Sequence, residues 1–222
     1  MKKVIFFLFI ALQFPFHSFG QEPNDVKINA IAQKIANAHG IENWQKVAQI
    51  EFTFNVDKDT THSERSWVWQ PKSNDITLIT KKDSIHFNPS NLSTEDIKQD
   101  KKFINDKFWL LIPFQLVWDQ GTSISEPIVA TAPVSKSKMN KITLTYPSEG
   151  GGYTPGDAYD LYFEDDFLIK EWTFRRGNQE KPSLVNTFEN YQDFNGIKLA
   201  LEHKRATDNW NLYFSNVKVT TE

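Results

Sequence analysis

Residues 184–204 read LVNTFENYQDFNGIKLALEHK, and the Asn195-Gly196 pair near their centre decides the fold class. Asn-Gly between two alternating apolar runs is a strong hairpin signal, because a tight two-residue turn needs positive φ at both positions and these residues accept it. The reading predicts strands over 184–191 and 197–204, paired antiparallel. Farther along, 210–219 alternates again from Trp210 and Leu212. Toward the N-terminus, 141–147, 158–164 and 167–175 continue the meander, with Asp165-Asp166 as a second turn. Earlier still, Ile50, Phe52, Phe54 and Val56 alternate with Glu51, Thr53 and Asn55. Arg65, Trp67 and Trp69 alternate with Glu64, Ser66 and Val68 in the same period-two pattern. Residues 75–80 and 84–88 complete the expected strands.

Two segments carry helical spacing instead. In 25–39, Ile28, Ile31, Ala32, Ile35 and Ala38 form one apolar stripe, with Asn24 or Asp25 as the cap and Gly40 at the C-terminal turn. A second helix is expected from Ser93, with Glu95 and Asp96 in its first turn. It runs through Phe103, Phe108, Trp109, Leu111 and Ile112 to Pro113, which forces a break or kink. Strands and helices do not alternate as βαβ units, so a doubly wound parallel sheet is not expected.

Composition narrows the function classes. The 222 residues include 25 Lys or Arg and 28 Asp or Glu, and this near balance gives no broad nucleic-acid footprint. One domain is expected at this length, since domains run to about 100–200 residues. The absence of cysteine removes disulfides, thiolate metal sites, Cys nucleophiles and a lipidated cysteine together. Aromatic residues make up 14%, a rich supply for lining a core or a cavity.

Residues 1–20, MKKVIFFLFIALQFPFHSFG, read as a cleaved signal peptide, leaving 21–222 as a single domain. Lys2 and Lys3 supply the positive start, Val4–Leu12 the apolar stretch, and Ser18-Phe19-Gly20 the small residues before the cut. Nine apolar residues do not span ~30 Å of hydrocarbon. The expectation is an exported protein without a lipid anchor. With no disulfides, that favours a bacterial periplasm.

Bulky apolar residues recur on one face of many strands, among them Phe52, Phe54, Trp67, Trp69, Leu144, Tyr146 and Trp172. A sheet with such a face must close on itself or be covered by helices, and a curved sheet holding helices in its mouth commonly leaves an apolar cavity.

Several strings resemble the outer-membrane lipoprotein carrier superfamily, the Lol carriers and related envelope proteins. They are HGIENWQKVAQIEFTF (39–54), INDKFWLLIPFQLVWDQG (104–121), YTPGDAYDLYFEDDFLIKEWTF (153–174) and TFENYQDFNGIKLALEHK (187–204). The resemblance spans about residues 24–219 and is closer to the uncharacterised envelope branch than to the carriers themselves. Leu199-Ala200-Leu201 stand where the family's hairpin often has proline. The resemblance implies a mainly β fold with helical cover: a single curved antiparallel sheet forming an unclosed β-barrel, with helices plugging its mouth around a pocket for acyl chains. It also implies a cavity arginine that latches the lid, for which Arg65 is the counterpart in this chain.

The expected function is therefore non-enzymatic binding or carriage of a lipid, a lipoprotein acyl chain or another amphipathic ligand. An envelope membrane protein is a further expected partner, and nucleic acid is not. Expected ligand-lining residues are Phe54, Arg65, Trp67, Trp69, Phe108, Trp109, Leu144, Tyr146 and Trp172. The alternative is an envelope interaction or sensor domain with a fully packed barrel. An enzyme would need a polar cluster inside the barrel, such as Glu171, Arg175 and His203, which the spacing does not require. No catalytic residue, metal or cofactor is expected, since the histidines lack ligand spacing and no HExxH or G-x-S-x-G occurs. His39, at a helix end, suits a cation facing the helix dipole. Residues 149–153, EGGGY, lack a phosphate-loop tail and read as a mobile loop gating the barrel mouth.

Overall fold

The computed structural model describes residues 29–150, 152–206 and 208–222. The expected signal peptide lies outside them. Helix α1 (Ala30–Ala38) starts at Asn29, whose side chain accepts from the Ile31 N–H as a cap, while Asn24 and Asp25 lie outside the described residues. His39 and Gly40 end it and lead to a short 3₁₀ turn, Ile41–Lys46.

Four strands follow: β1 (Val47–Lys58), β2 (Thr61–Gln70), β3 (Asp75–Ile79) and β4 (Ser84–Phe87). Helix α2 (Asp96–Trp118) then crosses the interior. Ser93 and Asp96 answer each other's backbone N–H groups, a capping box at the position where the sequence signals a helix start. The helix continues past Pro113 at the cost of non-helical torsions at Leu111 (φ −120°, ψ 19°), the expected kink.

The rest is antiparallel: β5 (Ser123–Ile124), β6 (Ile128–Thr131), β7 (Lys138–Thr145), β8 (Ala158–Phe163), β9 (Ile169–Arg175), β10 (Leu184–Thr187), β11 (Glu189–Phe194), β12 (Ile197–Lys204) and β13 (Trp210–Thr221). Asn195 and Gly196 take positive φ (55° and 83°) in the β11–β12 turn, as the dipeptide predicts. In the β8–β9 turn the positive-φ residue is Phe167, just after Asp165-Asp166.

The mainly β, unclosed architecture with helical cover matches the expectation, but the ladder is divided into two sheets where one was expected. The first runs β11-β12-β13-β1-β2-β3-β4 and the second β10-β9-β8-β7-β5, with β6 also on β7. The division falls inside the expected strand 184–191. Phe188 still donates its N–H to the Lys170 carbonyl at 2.7 Å, whereas Glu189 already pairs with Glu202 in the other sheet.

Both sheets close on α2. Its Phe103 packs edge-on against Trp67 and Trp69 of the first sheet, and Phe108 meets Tyr159 and Trp172 of the second. Trp67, Trp172, Phe52, Phe103 and Phe114 are almost wholly buried, each contributing about 1.5–3 kcal/mol by leaving water. Helix α1 and the 3₁₀ turn cover one end, where the Trp44 ring packs at a tilt against Trp118, 4.5 Å between centroids. Gly40 (φ 89°) presses against the β11–β12 turn so closely that a Cβ there would lie 1.8 Å from the Gly196 carbonyl oxygen. Only glycine fits that approach.

His39 is fully buried rather than a surface cation at the helix end. Its Nδ1 lies 2.8 Å from the Ile35 carbonyl, and desolvation lowers its pKa to about 4, so the ring is neutral.

Candidate functional site

Helix α2 faces the β7–β8 connection, described at residues 146–150 and 152–157. Two adjoining clefts open between them, of about 730 Å³ and 500 Å³. They share Asn105, Phe108, Tyr153, Thr154 and Tyr159, so they form one two-lobed cleft with Phe108 as the dividing ridge. Aromatic rings pave it. Phe108 lies 4.8 Å from Tyr159, Tyr159 stacks on Phe174 at 5.0 Å, and Trp109 packs on Trp172 at 4.4 Å.

The glycine-rich connection crosses the cleft as a strap. Gly150, Gly152 and Gly156 take positive φ, which lets the chain turn back on itself. Tyr153 ties the strap to the helix by donating its hydroxyl to Asp100 Oδ2 at 2.7 Å, and that bond pushes the phenol pKa up to about 12. The Lys101 ammonium lies 5.3 Å above the same ring. Tyr153→Phe is expected to cost no more than about 1.5 kcal/mol globally while raising amide hydrogen exchange through residues 148–157. Unchanged exchange there would show that the hydroxyl does not hold the strap.

Polar groups sit in the first lobe. Tyr146 donates its hydroxyl to Asp119 Oδ2, and Gln115 Nε2 approaches the same oxygen at 3.3 Å. Burial raises the Asp119 carboxyl pKa against the lowering effects of Tyr146 and Lys107, and it raises the Tyr146 phenol far above its usual range. Burial likewise lowers the Lys107 ammonium pKa. That ammonium rests over Trp69 and Phe103 at 5.2 and 5.8 Å.

Of the residues singled out from sequence, Phe108 lines both lobes, Tyr146 the first, and Trp109 and Trp172 the second. Phe54, Trp67, Trp69 and Leu144 lie in the packed core and line neither lobe. Arg65 is engaged elsewhere: its Nε and Nη2 hold both oxygens of Asp106 at 2.7 and 2.6 Å. Trp67 Nε1 donates to the same carboxylate at 2.9 Å, so β2 is bound to α2 through a fully buried acid. The sequence reading missed Asp106, Asp100 and Asp119. The first had a signal, since an acid at 106 interrupts the apolar spacing of Phe103 and Leu110.

Glu171, Arg175 and His203 do not converge. Glu171 accepts from the Val134 and Ser135 N–H groups and Arg175 pairs with Asp160, whereas His203 lies among core aromatic rings. Among the described residues, no group of three or more His, Cys, Asp or Glu could hold a metal ion, and no helix is long and apolar enough to cross a membrane.

No protein-family model matches this chain, and no curated protein does. Solved structures do. A LolA superfamily protein from Nitrosomonas europaea matches at 12% identity and TM-score 0.46, over 86% of this chain and 94% of that one. A DUF1329 family protein from Desulfovibrio piger matches at 10% identity and TM-score 0.44, over 86% and 92%. The lipoprotein LppX from Mycobacterium tuberculosis matches at 6% identity and TM-score 0.28, over 87% and 97%. The first of these bears the name of the superfamily that the sequence strings resemble. At such identities and TM-scores, the likeness bears on neither ligand nor activity.

Proposed function

We propose that this protein is a non-enzymatic periplasmic carrier that holds a lipid, a lipoprotein acyl chain or another amphipathic ligand in the two-lobed cleft. The observation that carries the reading is the aromatic floor of Phe108, Trp109, Tyr159, Trp172 and Phe174 beneath a glycine-rich strap. Sequestering an acyl chain on such a floor stabilises by about 0.8 kcal/mol per buried CH₂, so length alone supplies affinity. Phe108, Tyr146, Trp109 and Trp172 are the contacting residues. Phe54, Trp67, Trp69 and Leu144 become accessible when α2 shifts outward, and Arg65 with Asp106 holds that helix in place. An envelope membrane protein gives or receives the cargo.

Native mass spectrometry of protein taken from its own periplasm, followed by denaturing release, tests the reading. A stoichiometric lipid or acylated peptide is expected. Phe108→Ala is expected to weaken binding of a hydrophobic fluorescent dye to the delipidated protein about tenfold, given the aromatic area removed. An apo mass together with no dye binding would overturn the proposal. It would favour the interaction-domain reading, for which Ile128 and Val129, exposed at 54% and 71% on β6, are the pertinent surface.

A further inference from the structure

Behind the floor of the second lobe, Trp172, Asn186 and His203 carry buried hydrogen-bonding groups that no described protein group answers. Strands β9 and β10 set Phe174 opposite Leu184 and, one inward step deeper, Trp172 opposite Asn186. Phe174, Leu184 and Trp172 line the lobe, and Asn186 sits on the same face immediately behind them. The Trp109 indole spans the floor there, 4.4 Å from the Trp172 ring and 5.3 Å from the His203 imidazole. Phe188, the next inward residue after Asn186, touches both of those rings.

Asn186 and His203 are fully buried and Trp172 nearly so. Trp172 Nε1, both amide atoms of Asn186 and His203 Nε2 have no hydrogen-bond partner among the described residues. Buried polar groups are nearly always paired, so these four atoms, on side chains joined by the Asn186–Trp172 strand pairing and by the Trp109 contacts with Trp172 and His203, ask for a partner.

Their chemistry specifies it. His203 Nδ1 lies 3.1 Å from the Thr187 carbonyl, which can only accept, so Nδ1 carries the proton. Burial keeps the ring neutral, with a pKa of about 3, and Nε2 is left as an acceptor. Trp172 Nε1 only donates, and Asn186 does both. Donors and acceptors thus stand together without a charge on any of the three side chains. A carboxylate or phosphate would be buried there without a counter-ion, and an alkane end would leave every group unanswered. A hydroxyl, which donates once and accepts twice, fits.

We infer that the inner end of the second lobe binds the hydroxyl group of a neutral amphipathic ligand, a fatty alcohol or acylglycerol by class, with its chain lying outward along the aromatic floor. This rests on the lipid-binding reading and names the head group that the cleft selects.

Competition against a hydrophobic dye on the delipidated protein, using 1-decanol, decane and decanoate, tests it. The alcohol is expected to compete about tenfold more tightly than either of the others, the effect of one or two well-made hydrogen bonds. Asn186→Leu is expected to abolish that preference while leaving dye affinity within about twofold, since the paved floor is untouched. Equal competition by alcohol and decane, as when water satisfies these groups, overturns the inference and leaves lipid binding standing. Failure of the dye and all three chains to bind overturns both. If Asn186→Leu does not fold, the ranking in the unaltered protein decides.

Discussion

Arg65→Ala is expected to lower folding stability by about 3–5 kcal/mol, the usual consequence of stripping the partner from a buried charge. Asp106 is fully buried, and its oxygens are satisfied by Arg65, Trp67 Nε1 and the Asn105 side-chain amide. Loss of the guanidinium leaves an anion in the core with two weaker donors, and it also removes the alkyl stem and a cation–π contact with Phe54 at 4.8 Å. Arg65→Lys does not restore the forked geometry. The double change Arg65→Met with Asp106→Leu is expected to recover most of the loss, because it removes the desolvated acid along with its partner. Urea unfolding midpoints measure both variants. A single variant within about 1 kcal/mol of the parent would mean that Asp106 is neutral or re-solvated.

The second large effect is on pH. His39 and His203 have folded pKa values lowered to about 4 and about 3, in each case chiefly by desolvation, against 6.5 for the exposed ring. Between those values the unfolded chain binds protons that the folded chain refuses. Stability is therefore full above pH 6.5 and falls as the pH drops from there. Two such groups together are expected to remove about 3 kcal/mol between pH 6.5 and 5. His62, exposed beside Asp57, has a raised pKa and the opposite sign: its contribution is present below pH 6.5 and fades above. The raised carboxyl of Asp119 also opposes the trend, within the carboxylate range. His203→Phe is expected to remove one histidine's share of the slope. A flat urea midpoint from pH 6.5 to 5 would show that these rings are not neutral in the native state.

Much of the fold was legible because its signals are local. Asn195-Gly196 names its own turn, Ser93 and Asp96 their own cap, and Pro113 its own kink. The sheet division was not legible, since it depends on which carbonyl Phe188 meets across space and 184–191 looks like one strand from within. β5 and β6 escaped because two to four residues carry no period. The cleft was half legible: aromatic residues at inward positions were identified, but which of them α2 covers depends on the kink direction. Polar residues at inward positions were the neglected signal. Asn186 stands between Leu184 and Phe188, His203 follows Leu199 and Leu201, and Asp106 interrupts the α2 stripe. Each breaks an apolar pattern, and each proves to be a buried group with a specific demand.

The passage of one strand through Phe188 has a mechanical meaning. The two sheets share no ladder; besides the chain's passage through Phe188, they are joined by the contact of His203 Nδ1 with the Thr187 carbonyl, by the Lys204 N–H on the Thr187 hydroxyl and by the Tyr191 hydroxyl on the Ile169 carbonyl. The thickness of α2, seated between the sheets, sets how far they stand apart. Spreading the sheets would therefore strain a few seam bonds and no strand ladder, whereas a closed barrel widens only by breaking a ladder.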